Sequence, residues 1–272
     1  MQKFEENSFK TIYRPLVNIA VTTYNSRRFI VDCIRSIWLQ SYTNYEIILV
    51  DDCSTDITLK LLESTVRRFS MINKIKIFSH SFNCGYGQSL KHAIEFGKGE
   101  LVVIVDSDDT FGHRNALKML VEAHYNHPEA SLVYSDYWAC YENLKLYKRM
   151  RCTTFKEGQT YLGEFDGDQY LGNNVRVSHV KCFKRSFYDQ TEGVDSTLLK
   201  SVDKDLVLKL EEVGKLHHIP IPLYLYRLHE NSITRLWYNK SREYKEAVHE
   251  DKLRMYRNAR DRRMLKKNEN IS

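Results

Sequence analysis

Acidic residues gather where two apolar runs stop. One run ends in VDDCSTD (50–56) and another in VDSDD (105–109). Carboxylates crowded in this way repel one another unless a cation or hydrogen-bond donors compensate them. An oxygen-liganded divalent ion, Mn²⁺ or Mg²⁺, answers that demand and would also neutralise a diphosphate. The opposing reading is local. Asp, Ser and Thr are common where a strand hands over to a helix, because their side chains accept from free amides, and Ser54 and Asp56 read equally well as such caps. A third run ends in the aromatic-polar TTYN (22–25), and the three together weigh toward a binding site. Further along, Asp203 and Asp205 open a helical pattern, and His229 stands in YRLHENSIT (226–234).

The elements that must position these groups alternate. Apolar strands are expected at 18–23, 46–51, 75–79 and 101–106, with helices near 28–40, 55–69 and 86–97. In the first helix Ile30, Cys33, Ile34, Ile37 and Trp38 recur at helical spacing. Strands that read as near-continuous apolar runs are covered on both faces, which implies an α/β sandwich around a mostly parallel sheet. In such sheets ligands bind outside the carboxyl ends of the strands, so both acidic clusters and TTYN should face one crevice. A helix at about 115–126, a strand-like run at 131–139, a helix at 203–213 and a β-rich run at 216–227 follow. Between them, 141–185 reads as loops and short strands.

A chain of 272 residues with 42% hydrophobic and 28% charged residues suits one large domain that buries a substantial core. No apolar run approaches the roughly 18–20 residues that cross a bilayer, and MQKFEENSFK lacks the apolar centre of a signal peptide, so a cytoplasmic protein is expected. The six cysteines form no CxxC pair and no Cys/His metal spacing, and read as reduced thiols in core and loop positions. The net charge of +6 lies entirely in 235–272, where 12 Lys/Arg meet 6 Asp/Glu. There Tyr244, Val248, Met255, Tyr256 and Ala259 suggest one apolar helix face. Either that face packs on the body and the basic face is solvated, or the basic face rests on an anionic membrane or partner. Nucleic acid is the poorer fit, with no aromatic-rich basic motif.

The blocks IAVTTYNSRRFIVDCIRSIWLQSYTNYEIILVDDCSTD and NCGYGQSLKHAIEFGKGELVVIVDSDD resemble the donor half of family 2 glycosyltransferases with the GT-A fold. The resemblance implies a nucleotide-sugar donor half (17–110) and an acceptor and catalytic half of the same domain (111–234), which leaves an N-terminal extension (1–16) and the basic amphipathic helical tail (235–272) outside it. It implies that Thr23, Tyr24 and Asn25 line the base and ribose pocket and that Asp52, with Asp51 beside it, binds the nucleobase edge. Asn83 and Gly85 belong to the loop over the nucleotide. Asp106 faces the ribose or the metal, Asp108 ligates Mn²⁺ or Mg²⁺, and Asp109 caps the next helix. His229 binds the metal. SVDKDLVLKLEEVGK (201–215) resembles the helix carrying the catalytic base, with Asp203 at the matching position. Val202 stands where a Glu is common, which leaves Asp205 as the alternative. Arg176, Ser178, His179 and Lys181 fall in the acceptor region by position, and their basic groups read first as a solvated face. His217 and His218 are unassigned.

The implied reaction is an inverting, metal-assisted transfer from a nucleoside diphosphate sugar, UDP-linked by default, to a glycan or lipid-linked acceptor hydroxyl. A nucleotidyltransferase making activated sugars shares the sandwich, but TTYNSRRF has no Gly/Lys-rich phosphate loop. No G-x-G-x-x-G follows the first strand, which disfavours a dinucleotide oxidoreductase. A non-catalytic sugar- or nucleotide-binding module is disfavoured by the joint presence of Asp106-Ser107-Asp108, Asp203 and His229.

Overall fold

The computed structural model describes residues 13–166, 169–172, 175–230, 232 and 240–269. The first half runs β1 (Val17–Thr23), α1 (Ile30–Trp38), β2 (Tyr45–Asp51), α2 (Thr58–Arg68), β3 (Ile75–Ser79), α3 (Tyr86–Glu95) and β4 (Leu101–Asp106). The second half adds β5 (Thr110–Phe111), α4 (Ala116–Asn126), β6 (Ala130–Tyr141), β7 (Leu146–Met150), β8 (Glu164–Asp166), β9 (Gln169–Gly172), β10 (Lys181–Lys184), α5 (Arg185–Tyr188), α6 (Val202–Glu211), β11 (Lys215–Leu228) and α7 (Arg242–Glu269).

Eight strands follow the order β3-β2-β1-β4-β10-β6-β11-β5, and β7 pairs with β6 as the ninth. The first half is parallel throughout, from β3 to β4. Beyond β4 the expectation of a mostly parallel sheet needs qualifying. β10 lies antiparallel between β4 and β6, β6 and β11 are parallel, and β5 and β7 are antiparallel to their neighbours. β10 is only four residues, KCFK, too short to register as an apolar run inside a polar stretch.

Alternation along the strands shows why both faces are apolar. In β1 Val17, Ile19 and Val21 enter one core, while Ala20 enters the other. β4 repeats this, with Leu101, Val103 and Val105 on one side and Val102 and Ile104 on the opposite side. Successive strand side chains point to opposite faces, so a strand with no polar position needs a layer on each side. α1, α2 and α4 cover the first face, and α3, α6 and α7 the second. Asn18 is the polar exception in β1. Fully buried, its Nδ2 donates to the carbonyls of Ala93 and Ile94 at 3.1 and 3.3 Å, satisfying C-terminal carbonyls of α3 that have no intrahelical partner.

The tail packs against the body. Val248, Met255, Tyr256 and Ala259 of α7 are buried, Tyr256 stacks on Tyr170 at 3.9 Å, and Arg262 pairs with Glu212 at 2.8 Å. Tyr244, expected on that face, is half-buried. Residues 1–12, the start of the expected tail at 235–239, and Asn231, Ile233 and Thr234 of the YRLHENSIT stretch lie outside the described residues. No described helix is long and apolar enough to cross a membrane.

Candidate active site at the carboxyl edge of the sheet

Parallel register brings three strand ends together. Thr22 lies opposite Asp106 and Thr23 opposite Asp51. From this edge the chain leaves in three loops, each tied to its neighbour by a side chain. Asn25, with a positive φ of 50°, accepts the amides of Thr55 and Asp56 on Oδ1 at 2.9 and 3.3 Å, and its own amide donates to Ser54 Oγ at 2.9 Å. Asp56 Oδ1 accepts the Thr58 amide at 2.8 Å and so holds the turn just ahead of α2, whose N-cap is Ile57. Asp51 is wholly buried and takes the Ser54 amide at 3.0 Å, which makes it a turn-former beneath the cleft. Tyr24 is half exposed above that floor, and the Thr23 hydroxyl is buried without a partner.

Asp52 closes the loop after β3. Its Oδ1 accepts the Cys84 amide at 2.7 Å and meets His80 Nδ1 at 2.9 Å, and its Oδ2 accepts the Gly85 amide at 2.8 Å. Gly85 has φ of +86°, in the left-handed region where a Cβ is strained, so the turn into α3 requires glycine. Asn83 is exposed at the tip of this loop. Among the described residues, Asp52, His80 and Cys84 form a group whose ligand atoms lie within 4.8 Å of one another, a candidate metal-binding cluster that sequence spacing concealed.

The VDSDD segment divides its carboxylates among three tasks. Asp106 has an unpartnered buried Oδ1, hydrogen-bonds with Tyr86 at the start of α3, and stands 3.8 Å from His179 Nε2. Burial first, then the Asp108 charge, raises its pKa. Asp108 is a third exposed and its Oδ2 lies 2.8 Å from His229 Nε2, whose ring sits at 4.6 Å from that of Phe29. Asp109 does not cap the next helix. α4 begins five residues beyond the strand pair that follows it, and Asp109 is buried, accepting the Arg227 amide at 2.7 Å and fastening β11 to the site. Burial and then Asp108 push its pKa up as well.

α6 settles how the two acids of its first turn differ. Asp203 Oδ2 meets Lys181 Nζ at 2.8 Å; Lys181 is buried, while the Asp203 carboxylate is about 30% exposed. Burial alone would raise the Asp203 pKa, but the Lys181 ammonium overcomes it and holds the group below the usual carboxylate range. Asp205 faces the protein interior and pairs with Lys209 at 2.7 Å. Asp108 and Asp203 both raise the pKa of Asp106, so base candidate and DSD share one cleft.

Lys181 and His179 thus belong to the cleft and are not a solvated face. His179 is largely buried and stacked on Tyr224 at 5.2 Å, and burial first, then Lys181, lowers its pKa to about 3. Arg176 is exposed as expected. His218 pairs with buried Asp136 at 2.9 Å and His217 stacks on His127 at 3.7 Å, both remote in role from the cleft. Sequence reasoning missed Tyr86 and the Lys181–Asp203 pair. Lys181 lay in a stretch already singled out, but nothing in its spacing pointed at α6.

The residues fit a divalent cation. The Asp108 charge helps raise the pKa of Asp106 and of Asp109, Asp106 Oδ1 and Asp109 Oδ2 are buried without a donor, and a His and an Asp present ligand atoms at 2.8 Å. The family model for glycosyl transferase family 2 matches residues 18–190. The chain belongs to this family.

This family 2 chain is 28% identical over 250 residues to the chondroitin synthase of Escherichia coli, covering 90% of this chain and 33% of that protein. It is 25% identical over 236 residues to the hyaluronan synthase of Pasteurella multocida, covering 85% and 22%. It spans between 20% and 38% of the length of the curated relatives it matches. Among solved structures, S. aureus TarS 1–349 superposes with a TM-score of 0.61 at 23% identity, covering 78% of this chain and 60% of that one. The mannosyltransferase PcManGT from Pyrobaculum calidifontis, in complex with GDP-Man and Mn²⁺, gives 0.59 at 20%, covering 81% and 59%. These likenesses establish the GT-A sandwich.

Proposed function

We propose that this chain is an inverting glycosyltransferase that moves a sugar from a nucleoside diphosphate sugar to a glycan or lipid-linked acceptor hydroxyl. The observation that carries the proposal is the position of Asp203. It is a partly exposed carboxylate at the mouth of the same cleft as Asp106 and Asp108, fixed by a buried lysine. Family membership favours transfer over nucleotidyl transfer or a non-catalytic role. UDP is the proposed carrier, supported by TarS structures in complex with UDP and UDP-GlcNAc; the GDP-Man complex of PcManGT makes GDP the alternative.

In this reading Tyr24 and the Asn83–Gly85 loop bracket the base and ribose, with Thr23, Asn25 and Asp52 setting the pocket's shape; Asp51 supports them from below. Asp108 and His229 would hold Mn²⁺ or Mg²⁺ with Asp106 alongside, and the ion supplies neutralisation of the departing diphosphate. Tyr86 donates to Asp106 and fixes its orientation toward the cleft. Asp203 takes the proton of the acceptor hydroxyl as that oxygen attacks the anomeric carbon. Lys181 keeps Asp203 ionised and aimed, leaving its exposed side for the acceptor. A single base suffices for inversion, and Asp205, engaged with Lys209, is not called on. On the same reading 17–110 is the donor half and 111–234 the acceptor half, and the compartment is the cytoplasm. The exposed Arg254, Arg257, Lys266 and Lys267 of α7 offer a basic face to an anionic membrane surface.

The test is a screen of nucleotide sugars for hydrolysis without acceptor in the presence of Mn²⁺. Turnover of one UDP- or GDP-sugar above the others supports the proposal. Release of pyrophosphate from a nucleoside triphosphate and a sugar phosphate, with no sugar transfer or hydrolysis, overturns it.

A further inference from the structure

The loop after β3 assembles a chemistry quite unlike the oxygen-lined DSD edge. Asp52, His80 and Cys84 each offer one ligand atom, and these atoms lie within 4.8 Å of one another. The His80 and Asp52 side chains are nearly buried, at 12% and 7% exposure, while Cys84 is half-buried at the rim. Behind His80 runs a relay. His80 Nε2 lies 2.9 Å from His92 Nδ1, and His92 Nε2 lies 2.7 Å from the Gln88 side-chain amide. We propose that Asp52, His80 and Cys84 form a binding site for a thiophilic divalent ion of the zinc class, separate from the cation site at Asp108 and His229.

The donor set decides the class of ion. One thiolate, one imidazole and one carboxylate match the preferences of Zn²⁺ and Co²⁺, whereas Mg²⁺ and Mn²⁺ favour oxygen. Two N/O ligands at about 2.0–2.1 Å from a tetrahedral ion stand roughly 3.3 Å apart. The His80 Nδ1–Asp52 Oδ1 separation of 2.9 Å therefore opens by only a few tenths of an ångström as the ion takes the place of the shared proton. Asp52 retains its two backbone amides, since a carboxylate has about four acceptor positions and the ion uses the one that His80 vacates.

The relay allows the exchange without stranding any polar atom. The Asp52 carboxylate can only accept, so with neutral imidazoles His80 Nδ1–H donates to it, His92 Nδ1–H donates to His80 Nε2, and Gln88 donates to His92 Nε2. With the ion on His80 Nδ1, the two remaining bonds of the relay reverse. His80 Nε2–H donates to His92 Nδ1, His92 Nε2–H donates to the Gln88 oxygen after the amide turns over, and each imidazole still carries one proton. A histidine ligand whose remote N–H is held in this way has its tautomer and ring orientation fixed. The Cys84 thiol, which otherwise donates weakly to the Phe82 carbonyl at 3.4 Å, gives up its proton to become a thiolate, so one proton leaves per ion bound. The fourth coordination position stays open to water. Because Asp52 is also placed beside the nucleobase in the proposed function, ion and nucleotide would share it; that consequence rests on the proposed function, and the binding does not.

The experiment uses the full chain with Co²⁺ and Zn²⁺ alone, no nucleotide present. Co²⁺ is titrated while thiolate-to-cobalt charge-transfer absorption is recorded, and Zn²⁺ is titrated by calorimetry in two buffers of different ionisation enthalpy to count protons. The expected result is a charge-transfer band saturating at one ion, displaced by Zn²⁺, with one proton released. Cys84→Ser abolishes the band, His80→Gln weakens binding more than 100-fold, and His92→Phe weakens it roughly 10–100-fold, as loss of a ligand's outer hydrogen-bond partner does. Asp108→Asn leaves the band unchanged. Circular dichroism confirms that each variant is folded. No band in the wild type, a band that survives Cys84→Ser, or a band lost in Cys53→Ser but not in Cys84→Ser overturns the proposal.

Discussion

His124 gives a pH dependence whose size follows from the structure. It lies on α4, 1% exposed, with Nε2 donating to the Cys182 carbonyl at 3.1 Å. Cys182 belongs to β10 and is the neighbour of Lys181, so this contact steadies the strand that carries the partner of Asp203. Burial, the largest influence, lowers the His124 pKa from 6.5 to about 4. A base with a lowered pKa in the folded state binds its proton more readily when unfolded. Its stabilising effect is full above 6.5 and is lost as pH falls toward 4. At about 1.36 kcal/mol per pH step, moving from about pH 7.4 to about pH 5 removes ~2 kcal/mol through this residue. Urea unfolding of the wild type and of His124→Gln at the two pH values measures it. The variant is expected to be less stable at neutral pH but to lose about 2 kcal/mol less than the wild type on acidification. Parallel losses in both proteins would refute the reasoning, since they would place the pH-sensitive groups elsewhere.

Further outcomes concern the cleft and the tail. Calorimetry should show UDP binding that depends on Mn²⁺ or Mg²⁺ and is lost with chelator; Asp108→Ala removes the metal-dependent part, His229→Ala weakens it less, and equal affinity with and without metal would exclude the cation role. Lys181→Met should move the acidic limb of the turnover–pH profile upward, because Asp203 loses the charge that keeps it ionised, and should cost about 1–3 kcal/mol of stability measured by urea, less than a fully buried pair because Asp203 is part-exposed. Tyr256→Ala should cost about 3 kcal/mol in the same assay, as expected for a buried aromatic stacked on Tyr170, and co-sedimentation of the wild type with anionic vesicles at low and high salt separates a solvated basic face from a membrane-bound one.

The first half was legible because its signals are local and repeated. β3 and β4 fall at the expected residues, β1 and β2 each begin one residue earlier, and of the apolar positions expected in α1, Ile30, Cys33, Ile34 and Ile37 are buried while Trp38 is not. The parallel register then places Thr23, Asp51 and Asp106 at one edge without further information. What escaped depends on pairing at a distance. β10 has four residues and no periodicity of its own, yet it fills the space between β4 and β6 and delivers Lys181 to Asp203 across 22 positions. Asp109 follows a strand and precedes a helix, which reads as a cap, but β11 returns to offer it the Arg227 amide 118 positions later. The difference between Asp203 and Asp205 is equally invisible in VDKD. Two residues apart on a helix they point to different sides, and only the packing of α6 decides which one reaches the cleft.

Asp203→Asn tests the central claim most directly, by nucleotide affinity and turnover measured on the same preparation. The carboxamide keeps the size of the side chain and can still accept from Lys181, but lacks a basic oxygen. Nucleotide affinity should remain within a factor of about two while turnover falls roughly 10²–10⁴-fold, the usual contribution of a positioned general base. Turnover that survives Asp203→Asn and disappears in Asp205→Asn would contradict the account.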